Sequence, residues 1–107
     1  MTTLRHEIHA RCPPAAVWAV LSDLTAVARF NPMVTRATFV GEPRTGVGAQ
    51  RACEVLPRGR VLERVTRWDE GEALGLEVVE SDWPVHYMRW VTRVEAEGEG
   101  SRISQEL

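Results

Sequence analysis

Residues 3 to 11 alternate. Leu4, His6, Ile8 and Ala10 fall on one side, and Arg5, Glu7, His9 and Arg11 on the other. That period of two predicts a half-buried strand. The period then lengthens. Pro13 and Pro14 suit the first turn of a helix, where a missing N–H has no partner to lose. Val17, Trp18, Leu21 and Leu24 follow at helical spacing and make one apolar stripe. Asp23 or Thr25 is placed to cap a second short helix carrying Val27 and Phe30. Asn31-Pro32 ends it, because a residue before proline avoids the α region.

The rest of the chain reads as strands, over 34–40, 47–56, 60–68, 73–81, 85–95 and 101–107. Short turn sequences separate them: GEPRTG, PRG, DEGE, DWP and EGEG. Regular spacing and short turns predict antiparallel neighbours. The pattern is that of an α+β protein: an antiparallel sheet of about seven strands, with two short helices between strands one and two. Such a sheet needs one face covered, and two helices of about two turns cannot cover it. The sheet must close on itself, dimerise, or meet a covering element outside these residues.

Composition narrows the partners. With 107 residues the chain has the length of one domain, 1–107. The net charge of −2 gives no basic footprint for a phosphate backbone, so nucleic acid is not an expected partner. All 13 basic residues are arginine, which excludes a Schiff-base lysine and a P-loop lysine. Cys12 and Cys53 read as two reduced, buried small hydrophobes. There is no leader-like apolar segment and no membrane-length run, which implies a cytoplasmic protein. His6 and His9 have metal-like spacing, but three residues apart on a strand they face opposite ways. No metal, nucleotide loop or nucleophile elbow is present in the sequence, so no cofactor is expected.

The apolar faces locate a candidate site. In 47–56 the odd positions, Val47, Ala49, Arg51, Cys53 and Val55, form the apolar face. In 73–81 the even positions do so, with Leu74, Leu76 and Val78, and in 85–95 again the even ones, with His86, Met88 and Trp90. Strand 60–68 is ambiguous. A two-residue turn at Arg58-Gly59 sends Leu62, Arg64, Thr66 and Trp68 inward. A three-residue turn from Pro57 sends Val61, Glu63, Val65 and Arg67 inward, since one residue of register exchanges the faces.

The order of these elements, with PPAAVWAVLSDL and ARFNP in 13–32, GVGAQR in 46–51, and LERVTRWDEG with ALGLEV in 62–78, resembles the START-like (SRPBCC) superfamily. That superfamily includes the polyketide cyclase/dehydrase and lipid-transport proteins. The resemblance implies a helix-grip fold whose two short helices cradle a long C-terminal helix. That helix is missing here, which implies a C-terminally truncated domain. The resemblance also implies that Glu63 points into the cavity. The expected ligand-binding residues are then Arg51, Cys53, Glu63, Leu76, Val78, His86, Met88 and Trp90. An apolar concavity with three ionisable groups suits a small hydrophobic molecule carrying one or two oxygens. Arg51 is placed to take a carboxylate or enolate, or else to pair with Glu63 across the strands. Three functions fit: ligand binding or transport; a cyclase/dehydratase-like enzyme using Glu63, His86 and Arg51 as acid/base and stabilising groups; or a protein-interaction module. A monomer or homodimer is expected.

Overall fold

A computed structural model describes residues 5–83 and 88–107. Strand β1 (Arg5–Ala10) leads into α1 (Pro14–Leu21), a 3₁₀ turn (Leu24–Ala26) and α2 (Val27–Phe30). Six strands follow: β2 (Val34–Phe39), β3 (Gln50–Val55), β4 (Arg60–Asp69), β5 (Ala73–Ser81), β6 (Arg89–Glu97) and β7 (Gly100–Glu106). They form one curved antiparallel sheet in the order β1-β7-β6-β5-β4-β3-β2. Every neighbour except β1–β7 is also a neighbour in sequence. The architecture is the α+β helix grip that the residue pattern predicts, and among the described residues no long helix accompanies the sheet.

Pro14 opens α1 as its first residue, with Pro13 at the cap position. The second helix differs from expectation. Leu24–Ala26 winds as a 3₁₀ turn and α2 is a single turn with no side-chain cap. The two residues expected to cap it bond to each other instead: Thr25 Oγ1 donates to Asp23 Oδ1 at 3.1 Å. Short polar side chains readily make such local bonds in preference to capping.

The helices are held by the sheet's apolar face. Trp18 and Leu24 pack with Ala49, Val65, Leu74 and Leu76, and Trp68 and Trp90 close around that cluster. A second cluster joins Val27 of α2 to Val34 of β2 and Cys53 of β3. The Trp18 and Trp68 rings meet edge to face, with centroids 5.5 Å apart.

Two strand boundaries need correction. β3 begins at Gln50 and not at residue 47. Gly46 (φ +80°) and Gly48 (φ +95°) lie in the left-handed region, which breaks the extended run, and Val47 between them is 64% exposed and off the inner face. β6 begins at Arg89. Residues 84–87, which include His86, lie outside the described residues.

The ambiguity in the β3–β4 hairpin is settled by register. Glu54 pairs with Arg60 and Arg51 with Glu63, the parity of the three-residue turn, so Val61, Glu63 and Val65 face inward. A β-bulge then changes the parity. The β4–β5 register passes from Val65↔Leu76 to Arg67↔Gly75 and skips Thr66. Trp68 therefore also turns into the core. The three-residue reading thus holds through Val65 and fails at exposed Arg67; of the other reading only Trp68 turns inward, Thr66 lying exposed at the bulge.

Candidate ligand-binding site

The grip leaves an apolar trough between the helices and the sheet. Its central cavity has a volume of about 380 Å³. Arg51, Cys53, Glu63, Leu76, Met88 and Trp90 line it, which brings together six of the eight residues singled out from the sequence. Val78 lies in an adjoining chamber of about 220 Å³, together with Val61, Trp83, Met88 and Trp90. Glu63 borders both chambers. His86 falls outside the described residues.

Sequence reasoning missed several lining residues. Leu21, Val27 and Phe30 come from the helices, Asn31 from the turn after them, and Thr92 and Gln105 from β6 and β7. Thr92 was within reach, since it continues the even face of Met88 and Trp90. Gln105 required the β6–β7 register, in which it pairs with Thr92; its Nε2 donates to Thr92 Oγ1 at 3.3 Å.

Arg51 and Glu63 are the polar centre of the cavity. They are direct cross-strand partners on β3 and β4. Arg51 Nε donates to Glu63 Oε1 at 2.8 Å and the Nη2 group lies 2.7 Å from the same oxygen. Arg51 Nη1 donates to the backbone carbonyl of Leu24 at 3.1 Å. The side chains are 8% and 13% exposed. The pairing reading of Arg51 is thus the one realised. The guanidinium also answers a backbone requirement: Leu24 is fully buried, and its carbonyl needs a donor where helix and sheet meet. The guanidinium sits among apolar walls with each of its nitrogens engaged, by Glu63 Oε1 and the Leu24 carbonyl.

Cys53 lies beside this pair, 1% exposed. Its thiol is pushed up to about 11, first by burial and then by the nearby negative charge of Glu63, with Arg51 pulling the other way. It is a neutral, apolar wall element at physiological pH. Cys12, expected from the sequence to be buried as well, is instead exposed in the turn between β1 and α1.

Towards β1 the trough continues as a groove of about 410 Å³, with Ile8, Val20, Leu21, Phe30 and Ile103 among its lining residues. His6 opens onto this groove. His9 is not among its lining residues, and its Nδ1 lies 2.6 Å from Glu97 Oε1.

The family follows from this arrangement and from the sequence together. The polyketide cyclase / dehydrase and lipid transport family model matches residues 1–107, and the chain belongs to that family. Solved structures share the fold. The chain superposes on XoxI from Bacillus cereus with a TM-score of 0.84 at 14% identity, covering 99% of this chain and 73% of that one. A Thermobifida fusca protein gives 0.82 at 25% identity, covering 99% and 72%. Ara h 8.0201 gives 0.80 at 18% identity, covering 98% and 74%. No curated protein is significantly similar in sequence. Among the described residues, no helix is long and apolar enough to cross a membrane.

Proposed function

We propose that the protein binds, and in doing so can carry, a small hydrophobic molecule in the trough between sheet and helices. The observation that carries this reading is the 380 Å³ cavity, walled by Leu76, Met88, Trp90 and Phe30 with the Arg51–Glu63 ion pair within it. An apolar concavity of this size with a few convergent polar groups is the usual form of a small-molecule site. The family's lipid-transport members point the same way.

The test is titration with the neutral dye N-phenyl-1-naphthylamine, followed by its fluorescence. Saturable binding with one site per chain is expected, and Met88→Arg, which places a charge in the cavity wall at a 39% exposed position, abolishes it. Absence of saturable binding, or binding indifferent to Met88→Arg, overturns the reading.

Glu63 supports a second reading, as an enzyme of the cyclase or dehydratase kind. A carboxylate in an apolar cavity is a candidate general base, with Arg51 and His86 as the other candidate groups. Turnover of any substrate found should then fall in Glu63→Gln and His86→Ala. Full activity in both variants removes this reading.

A further inference from the structure

The geometry of the buried pair specifies which polar group a ligand can carry. All three guanidinium nitrogens of Arg51 are already engaged, two with Glu63 Oε1 and one with the Leu24 carbonyl. At 8% exposure the guanidinium has little surface left for a ligand. Glu63 is different. Both contacts from Arg51 converge on Oε1, and among the described residues no donor reaches Oε2. The carboxylate borders both chambers, so it sits midway along the trough. Ionised carboxylates only accept hydrogen bonds, and one oxygen here has capacity to spare.

We propose that Glu63 Oε2 is the polar anchor of the site, which therefore selects neutral apolar molecules bearing a hydroxyl or N–H donor and rejects their carboxylate counterparts. This rests on the trough being a hydrophobic-ligand site. A donor on the ligand completes the coordination of Oε2 with a charge-assisted hydrogen bond in an apolar setting. A carboxylate on the ligand would lie against Glu63 as a like charge, and would meet a largely buried Arg51 whose three nitrogens are each already engaged. An apolar molecule with no donor would desolvate Oε2 without replacing its water. Rejection is built in by the resident ion pair itself.

Calorimetric titration with 2-naphthol, 2-methoxynaphthalene and 2-naphthoate at neutral pH separates these cases, since the three share one ring system. The expected order places 2-naphthol at least about tenfold tighter than either of the others, a ratio equivalent to roughly 1.4 kcal/mol. In Glu63→Gln, checked for folding by circular dichroism, that preference collapses and the naphthoate gains, because Arg51 is released. Tighter or equal binding of the naphthoate to the wild-type protein overturns the proposal and makes Arg51 the anchor. Equal binding of the methoxy compound overturns the requirement for a donor. These comparisons use the wild-type chain and stand even if the variant does not fold. If N-phenyl-1-naphthylamine binds but none of the three does, only this proposal falls. If the dye fails as well, the hydrophobic-ligand reading falls with it.

Discussion

Arg51 and Glu63 face each other across β3 and β4, with two guanidinium nitrogens on one carboxylate oxygen and the third on the Leu24 carbonyl. One side chain thus joins two strands and the helical segment above them. Removing one partner of such a buried pair leaves an uncompensated charge. Arg51→Met should cost about 3 kcal/mol, the lower end for a broken buried pair because Glu63 retains some exposure. The double variant Arg51→Met/Glu63→Met removes both charges and should cost only about 1–2 kcal/mol, chiefly for the Leu24 carbonyl left without a donor. Urea denaturation of the singles and the double measures the coupling. A double variant less stable than Arg51→Met would show that the pair stabilises the fold beyond mutual neutralisation.

Cys53 gives a prediction in pH. Its folded-state value of about 11 stands above the ordinary 9.0. Between those values the unfolded thiol has released its proton while the folded one keeps it. The native state then binds more protons, so stability falls as pH rises through this window and is unaffected below it. Cys53→Ala should flatten the decline between pH 9 and about 11. Thiol labelling with a disulfide reagent at neutral pH should modify exposed Cys12 rapidly and Cys53 only on unfolding. Rapid reaction of both thiols in the native protein would contradict the buried placement.

Most of the fold was legible because its signals are local. Alternation marks β1, the double proline marks α1, and short turns mark the hairpins. The inward residues of β3, β5 and β6 followed from parity alone, and Arg51, Cys53, Leu76, Met88 and Trp90 followed with them. β4 was not legible, because a bulge at Thr66 places Val65 and Trp68 on the same side, and no single alternation describes it. The false start at Val47 has a related cause: two glycines with positive φ interrupt a stretch whose alternation looks continuous. The pairing of Arg51 with Glu63 remained one of two readings, since pairing depends on a register that the turn sequence left open. Gln105 escaped notice because only the β6–β7 ladder brings it beside Thr92.

The β4 bulge depends on what lies opposite it. A Cβ on Gly75 would meet Thr66 Oγ1 at 2.8 Å and Arg67 Cβ at 2.9 Å. The bulged strand therefore needs a residue without a side chain beside it. Gly75→Ala should cost about 1–3 kcal/mol, the usual range for overpacking. Adding Thr66→Ala removes one of the two clashes and should recover part of the loss. Thermal unfolding of the three variants measures both effects, and a neutral Gly75→Ala would mean that the bulge relaxes freely.

The two tryptophans of the edge-to-face pair should respond differently to the same substitution. Trp68 Nε1 donates to Glu70 Oε2 at 2.8 Å, so its indole is satisfied. Trp18 Nε1 is buried with no hydrogen-bond partner among the described residues. A buried donor without an acceptor costs about 1–3 kcal/mol, which the wild-type fold already bears. Trp18→Phe keeps a ring in the cluster and removes that donor, so lost packing and relieved desolvation oppose each other. Its net cost should stay below about 1.5 kcal/mol, whereas Trp18→Ala should lose about 3–5 kcal/mol through the void it opens between α1 and the sheet. Trp68→Phe gives up a satisfied hydrogen bond as well as volume and should cost more than Trp18→Phe. Chemical denaturation of the three variants decides the matter. The reverse order for the two phenylalanine variants would mean that the Trp18 N–H finds an acceptor in solution, the Trp68 ring being an aromatic candidate.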